Sequence, residues 1–276
     1  MNIMVTGGAG FIGSHFVEYF LKKYPNSHVV NVDALTYAAH PDTPVYLESL
    51  APKRYHFVKA DIAASDLGAV MRDHQVSAIV NFAAETHVDR SILDPGAFVR
   101  TNIAGVQNLL TLAREVGKIR FVHVSTDEVY GSLEPNDPPC VEHTNLSPNS
   151  PYAASKAAAD LLALASCRTY GQEVLITRCT NNYGPFQFPE KLLPLLIANA
   201  VEDKPIPVYG DGRQVRDWIY VEDHCRGIDA VLQRGKSGEV YNISASEERP
   251  NIEVIKSVLS MLGKPHSLIT HVGDRP

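Results

Sequence analysis

Thr6-Gly7-Gly8-Ala9-Gly10-Phe11-Ile12-Gly13 follows directly on Asn2–Val5, a short apolar run that reads as a buried strand. Residues 14–23 then have helical spacing, with Phe16, Tyr19 and Phe20 available for packing, and the pattern stops before Pro25. Strand, glycine-rich turn and helix in immediate succession form the unit that holds a dinucleotide. Gly7 permits the tight turn. Gly10 lets the backbone approach a pyrophosphate resting on the helix N-terminus. Gly13 allows close packing of helix on strand. The spacing is GxxGxxG rather than GxGxxG, and glycines alone are a weak signal, so the surrounding pattern has to decide.

That pattern agrees. His28–Val32 reads as a second strand with Asp33 at its end, about 20 residues past the last glycine, where an acid can bond ribose hydroxyls. A carboxylate there repels a 2′-phosphate, which favours NAD over NADP. His40–Ser49 is polar, contains proline and reads as a loop or weak helix. Tyr55–Lys59 is a third strand closed by Asp61-Ile62; Leu67–His74 is helical; Ala78–Phe82 is a fourth strand. Ala83 and Ala84 leave room for a flat ligand. Glu85–Ser91, ETHVDRS, has the polarity of a solvated loop, but its place at the carboxyl edge of the sheet also makes it a binding segment. Ala97–Val116 reads as one long helix carrying Thr101 and Asn102, and the alternation continues through Arg120–Val124. Unbroken β–α alternation predicts an α/β fold with a doubly wound parallel sheet.

Composition narrows the function. The 276 residues carry 25 Lys+Arg against 31 Asp+Glu, a net charge of −6, with no basic patch of the kind a nucleic-acid binder shows. Cys140, Cys167, Cys179 and Cys225 lack metal-ligand or redox spacing, and the 11 histidines form no cluster, so reduced cytosolic thiols and no metal site are expected. Neither a signal peptide nor an apolar run of about 18 residues is visible, so no membrane association is expected and the location expected is the cytoplasm.

Two stretches carry candidate chemistry. Phe121-Val122-His123-Val124 leads into Ser125-Thr126-Asp127-Glu128-Val129-Tyr130-Gly131, which places two carboxylates and two hydroxyls at a strand's carboxyl end, a proton-handling arrangement. Neighbours on a regular strand point to opposite faces. Asp127 and Glu128 can therefore serve one substrate only if the backbone leaves strand geometry here. Further on, Tyr152 and Lys156 lie four apart on an Ala-rich helix, hence on one face. An ammonium one turn away favours the phenolate, and a nicotinamide cation adds to this. Such a tyrosine can remove an alcohol proton while hydride leaves the same carbon.

TGGAGFIGSHF, VDALTYA, NFAAETHVDRSI, STDEVYG, YAASKAAAD, TRCTNNYGP, FPEKLLP and VYGDGRQVRDWIYVEDH together resemble the extended short-chain dehydrogenase/reductase family, and within it the sugar-nucleotide 4,6-dehydratases. The adjacent Asp127-Glu128 after Thr126 separates dehydratases from epimerases. The resemblance implies a tightly bound NAD, a nucleotide-sugar substrate with dTDP-glucose the expected one, and a homodimer built by pairing the helices around residues 97–116 and after Pro151. It implies that Phe11, Ile12, Asp33, Ala34, Leu35, Thr36, Asp61, Ile62, Phe82, Ala83, Ala84, Thr101 and Asn182 line NAD, beside Gly7, Gly10, Gly13, Tyr152 and Lys156. It gives Thr126 the sugar 4-hydroxyl, Asp127 the departing 6-hydroxyl and Glu128 the carbon 5 proton. Thr86, His87, Asn181, Lys191, Leu192, Pro207, Val208, Tyr209, Arg216 and Asn251 are implied substrate contacts; a guanidinium such as that of Arg216 can grip phosphate oxygens bidentately. UDP- or GDP-sugar dehydration and 4-epimerisation are the alternative activities, and NAD sensing without catalysis is the non-enzymatic one.

After about residue 180 the alternation fades and prolines 185, 189, 194, 205 and 207 punctuate short elements. The expected organisation is an NAD-binding domain over residues 1–180 and a substrate-binding region over 181–276 that returns a strand to the sheet. The resemblance implies a Gly-His dipeptide and further basic and aromatic substrate contacts beyond Asp274-Arg275-Pro276, which this sequence does not include. The expectation is an incomplete second region with weakened nucleotide affinity. Ala39-His40 and Ala245-Ser246 depart from the Gly-Asn and Gly-rich residues of the family and read as loop changes.

Overall fold

The computed structural model describes residues 1–134 and 137–273; the Asp274-Arg275-Pro276 terminus lies outside the described residues. The chain opens with β1 (Asn2–Thr6), α1 (Phe11–Lys23), β2 (His28–Asp33), α2 (Thr43–Leu50), β3 (Tyr55–Lys59), α3 (Gly68–Asp73) and β4 (Ala78–Asn81). There follow α4 (Val88–Leu93), α5 (Pro95–Phe98), a π-helical turn over Val99–Gly105, α6 (Val106–Val116), β5 (Arg120–Thr126), a 3₁₀ turn over Asp127–Tyr130, α7 (Pro151–Tyr170) and β6 (Val174–Cys179). Residues 40–49, expected as a loop or weak helix, contribute to α2, where Pro44 sits in the first turn and its missing N–H costs nothing. The long helix expected over 97–116 is not uniform: its first half is the π-helical turn, a geometry that often marks functional sites.

The second part of the chain adds β7 (Asn181–Tyr183), α8 (Leu192–Val201), β8 (Ile206–Tyr209), β9 (Val215–Tyr220), α9 (Val221–Arg234), β10 (Val240–Ile243), β11 (Glu248–Pro250), α10 (Asn251–Met261) and β12 (Ile269–Val272). The fold divides into two compact units, residues 1–179 with 222–243, and residues 180–221 with 244–276. Residues 222–243 thus sit apart from the rest of the second region. They place α9 and β10 in the first unit, where β10 covers the edge of β6 that would otherwise present unpaired backbone.

The first unit is a seven-stranded sheet in the order β10-β6-β5-β4-β1-β2-β3, with every neighbouring pair parallel. Parallel strands need helical crossovers, which cover both faces and drive the strands to be apolar throughout. Met4, Val30, Val32, Ile79, Phe121, Val174 and Ile176 are buried in one core with Leu109, Leu110 and Ala113 of α6. The strand order reverses between β1 and β4. That switch point is where ligands of open α/β sheets bind, outside the carboxyl ends of the strands. Both stretches expected to hold a dinucleotide, the glycine turn after β1 and Ala83-Ala84 after β4, emerge there.

The second unit has a three-stranded sheet, β11-β9-β7, and a parallel pair, β12-β8. Leu196 and Ala200 of α8, Ile206 and Val208 of β8, and Ile255 and Leu259 of α10 form its core.

Candidate active site

Backbone geometry at the glycine turn is tightly determined. Gly7 takes φ +71°, and a Cβ on it would lie 2.6 Å from the Ala83 nitrogen, so the β1 and β4 loops meet at the switch point only because this residue is glycine. A Cβ on Gly13 would lie 2.3 Å from the Gly7 oxygen, which explains how α1 docks on its own turn. At Gly10 an added Cβ would approach only the Gly7 oxygen, at 3.3 Å, leaving room for a ligand beside the backbone. The Asp33 carboxylate accepts from the Ala9 amide at 2.9 Å and the Leu35 amide at 2.7 Å. It ties the glycine turn to the end of β2. Burial pushes its carboxyl above the usual range, and the two amides oppose that shift.

Other expected cofactor contacts divide by direction. Ala83 and Ala84 are half-buried beside Gly7, and Phe82 packs on Phe16 with ring centroids 5.3 Å apart. Asp61 caps its own turn through the Ala63 amide at 2.8 Å and pairs with Arg100 at 2.6 Å. The Ile62 side chain points into the core, so it can meet a ligand only through its backbone. Leu35 stands at φ +53°, a strained position for a branched side chain. Phe11 and Ile12 form the first turn of α1 and Ala34 and Thr36 flank Leu35; Phe11, Ile12 and Ala34 are half-buried and Thr36 is exposed.

The two chemical stretches converge at the carboxyl end of β5. The strand stops at Thr126, and the next four residues wind into a 3₁₀ turn, so Asp127 and Glu128 leave the alternating geometry of the strand. Thr126 caps this turn: its Oγ1 accepts from the Glu128 amide at 3.3 Å and donates to Asp127 Oδ1 at 3.2 Å. Tyr152 lies in the first turn of α7, which begins with Ser150 accepting from the Ala153 amide at 3.1 Å and with Pro151 in a position that needs no N–H. Tyr152 stands near Thr126, which favours its ionised form. Its phenol is held well above the usual range, first by burial and then by Glu128, with Cys179 and Asp127 adding to it. The Lys156 ammonium is buried and donates to the Val124 carbonyl at 2.7 Å. Burial lowers it to about 8, and Asp160 is the main influence keeping the proton on.

In the second unit, Asn181 and Asn182 lie on β7, and Asn182 Nδ2 donates to the Thr180 carbonyl at 3.0 Å. Lys191 precedes α8 and Leu192 begins it, with the Leu192 side chain packed against that unit's core. Val208 is in the same core, whereas Pro207 and Tyr209 on either side of it are exposed. Arg216 is exposed on β9 and donates to the Val215 carbonyl at 2.7 Å. Asn251 begins α10, and its buried Oδ1 has no hydrogen-bond partner. Ser246, one of the departures from the family pattern, stands at φ +57°, where glycine would sit without strain.

A buried parallel sheet with a glycine turn at its switch point, and a tyrosine–lysine pair facing two carboxylates, define an α/β nucleotide-dependent enzyme of the short-chain dehydrogenase/reductase type. Residues 4–271 match the family model described as GDP-mannose 4,6 dehydratase, and the chain belongs to that family. It is 49% identical to the dTDP-glucose 4,6-dehydratase of Xanthomonas campestris, over 99% of this chain and 82% of that protein. Among solved structures it is similar to the dTDP-glucose 4,6-dehydratases of Streptomyces venezuelae (TM-score 0.94, 48% identity) and Bacillus anthracis (TM-score 0.92, 47% identity), both with NAD bound; each match spans all of this chain and 85% of the other.

Asn102 and Ser155 complete the arrangement and drew no role from the sequence. Asn102 is buried on the π-helical turn. Its Oδ1 accepts from the Glu85 amide at 2.9 Å, and its Nδ2 donates to the Glu85 carbonyl at 3.0 Å and to Ser155 Oγ at 2.8 Å. Ser155 in turn donates to the Tyr152 carbonyl at 2.7 Å. The amide thus fixes the ETH loop, with Thr86 and His87, relative to the helix that carries Tyr152. Its one visible signal was an amide in a helix interior directly after Thr101, where no periodicity distinguishes it from a surface residue. Asn102→Ala should cost roughly 1–3 kcal/mol through the donors and acceptors it strands and should accelerate hydrogen exchange at the Glu85 amide. Exchange at Glu85 unchanged from the parent would show that the clamp is not there.

Proposed function

We propose that this chain is a NAD-dependent lyase that converts dTDP-glucose to dTDP-4-keto-6-deoxyglucose. The observation that carries the reading is the 3₁₀ turn after β5, which presents Asp127 and Glu128 beside Thr126 and Tyr152. A 4-epimerase has no use for a second acid–base pair at that position. Identity of 45–49% to dTDP-glucose 4,6-dehydratases supports the choice of nucleotide.

Gly7, Gly10 and Gly13 would cradle the dinucleotide's phosphates, and Asp33 would take the adenosine ribose. NAD, when bound, supplies the acceptor for a hydride from carbon 4 of the sugar and the donor that returns it to carbon 6. Tyr152 removes the 4-hydroxyl proton, with Thr126 bonding the same oxygen. Because burial and the carboxylates hold the phenol up, this step needs positive charge near the ring, and Lys156 one turn away provides it. The resulting 4-ketone acidifies the carbon 5 hydrogen. Glu128 takes that proton and Asp127 protonates the departing 6-hydroxyl, so that water leaves across carbons 5 and 6. Arg216, Lys191, Asn181 and Asn251 are assigned to the sugar nucleotide, with the Arg216 guanidinium suited to its phosphate oxygens. Cytoplasmic location fits the four free cysteines. Among the described residues no helix is long and apolar enough to cross a membrane.

A homodimer also belongs to this reading. Val99 on the π-helical turn and Leu161 on α7 are 53% and 58% exposed, apolar side chains on the two helices that would pair. Light scattering at micromolar protein should give about twice the 30.3 kDa chain mass; the mass of one chain would remove the dimer from the proposal.

Cofactor choice is tested at Asp33. The parent protein should bind NAD far more tightly than NADP in calorimetry, and Asp33→Ala should weaken NAD binding and narrow the difference. Equal affinity of the parent for both would sink the assignment. The reaction itself is tested by isotope. Substrate deuterated at carbon 4 should yield product carrying that deuterium at carbon 6, and in heavy water carbon 5 should acquire solvent deuterium. Glu128→Gln should suppress elimination by about 10²–10⁴-fold while hydride transfer from carbon 4 persists, whereas Tyr152→Phe should stop that first transfer. Label returned to carbon 4 with inverted configuration would identify an epimerase instead.

A further inference from the structure

A chain of buried polar side chains runs beneath the candidate site and is used by no step above. Thr6 Oγ1 donates to Asn81 Oδ1 at 2.5 Å, and Asn81 Nδ2 donates to His123 Nδ1 at 3.1 Å. With Nδ1 accepting, the His123 proton sits on Nε2, which faces Asp160 Oδ1 at 3.7 Å. Asp160 Oδ2 accepts from Arg178 Nε at 2.9 Å, Arg178 Nη1 donates to the Tyr130 hydroxyl at 2.9 Å, and that hydroxyl donates to Asn242 Oδ1 at 2.7 Å. Asp160 and His123 are fully buried and Arg178 is 4% exposed.

Position makes this more than a structural ion pair. Asp160 lies four residues beyond Lys156 on α7, so Tyr152, Lys156 and Asp160 occupy one helical face in successive turns. Arg178 reaches in the other direction to Tyr130, the last residue of the 3₁₀ turn that carries Asp127 and Glu128. An isolated carboxylate at full burial would take up a proton, and an isolated buried ammonium would lose one. Here each charge is placed to hold the next.

We propose that Asp160 is a positioning residue for catalysis: held ionised by Arg178, it is the buried counter-charge that keeps Lys156 protonated and therefore able to stabilise the Tyr152 phenolate. The proposal rests on the tyrosine–lysine chemistry of the preceding subsection. The named influences on Lys156 are consistent with it. On α7, Asp160 opposes loss of the proton; on β6, Cys179 does the same to a lesser degree. On β5, His123 is kept neutral, its basicity lowered by burial and by Lys156 itself. Burial raises the Asp160 carboxyl, while Arg178 and Lys156 pull it back. The Arg178 guanidinium holds its proton more tightly against Asp160 despite its own burial, and its Nε lies 2.9 Å from Asp160 Oδ2, a geometry that favours the ionised pair.

The direct test follows the isotope-labelled Cε resonance of Lys156 through a pH titration of the full chain, assigned with Lys156→Met. In the parent the ammonium should titrate near 8. In Asp160→Asn it should lose its proton at least about one pH unit lower, and Asp160→Glu should restore much of the difference. The alkaline limb of kcat should move down with it while KM for the sugar nucleotide holds, so the activity gap between Asp160→Asn and parent widens from pH 6 to pH 8. A merely structural role would lower activity equally at every pH. An unchanged Lys156 titration in Asp160→Asn overturns the proposal. Should that variant fail to fold, the Asp160 carboxyl resonance of the parent still decides: an ionised carboxylate at pH 7 is required, and a protonated one overturns the proposal. If the parent fails to dehydrate dTDP-glucose, the substrate reading falls while the Lys156 titration still returns its own answer.

Discussion

The Lys156 ammonium sits inside the first unit, bonded to a backbone carbonyl of the central sheet, and much of the surrounding architecture follows from making that burial tolerable. An ionised group removed from water costs several kcal/mol even after the protein relaxes. The fall from 10.5 to about 8 corresponds to roughly 3 kcal/mol of that cost left uncompensated. The rest is offset by the Val124 carbonyl and by Asp160. Ala153, Ala157, Ala159 and Ala163 are all buried along α7, and their small side chains let the helix lie close enough to β5 for the lysine to reach the strand. Ala159 and Ala163 pack in the main core and Ala157 against Val129 and Tyr130, so the small side chains fit the close approach of α7 to its neighbours.

Holding α7 at that distance constrains its neighbours. Ser150 and Pro151 set where the helix begins, and hence which residue falls in its first turn. Asn102 ties the same helix to the loop after β4, and the π-helical turn carries the residue that makes the tie. A widened turn with poorer hydrogen-bond geometry is tolerated because it brings one amide to both Glu85 and Ser155. The glycine turn, the loop after β4 and α7 therefore form a connected set: Gly7 against Ala83, the Ala83–Glu85 stretch against Asn102, Asn102 against Ser155.

Much of the first unit was legible in the sequence because parallel strands are buried on both faces and announce themselves as apolar runs. β1 through β5 fall within about two residues of their expected bounds. Glycine spacing and Asp33 located the switch point, since only particular residues satisfy φ +71° at Gly7 and the close contact at Gly13. Legibility failed where tertiary context governs. The π-helical turn over Val99–Gly105 leaves no mark in periodicity, although Val, Thr, Asn and Gly are weak helix formers. A strand returning to the sheet from beyond residue 180 was expected, and β10 on the edge of β6 is that strand; that α9 accompanies it into the first unit was not. Asp33 was expected as a ribose ligand; its bond to Ala9, 24 residues away, is a long-range tie invisible to spacing rules. In the second unit, Val208 and Leu192 were expected at the substrate; the Val208 side chain is in that unit's core and Leu192 is partly buried against it.

The sequence posed one geometric problem that the fold resolves. Two adjacent residues cannot both face one ligand from a β-strand, yet elimination requires an acid and a base on the same sugar. The chain ends β5 one residue before the carboxylates and changes the backbone from extended at Thr126 to 3₁₀ at Asp127. Such a short turn is weak in isolation, so it is secured at both ends. Thr126 caps its start, and at its close Gly131 takes φ +88°, with the Ser147 oxygen where a Cβ would lie, only 2.3 Å away. The Ser147 amide donates back to the Val129 carbonyl at 3.0 Å, clamping the turn under a passing segment. The Tyr130 hydroxyl is gripped from below by Arg178. A turn held from its cap, its exit and its underside fixes the backbone that carries the two carboxylates, so neighbours that sequence alone would treat as equivalent leave the chain from defined and different positions.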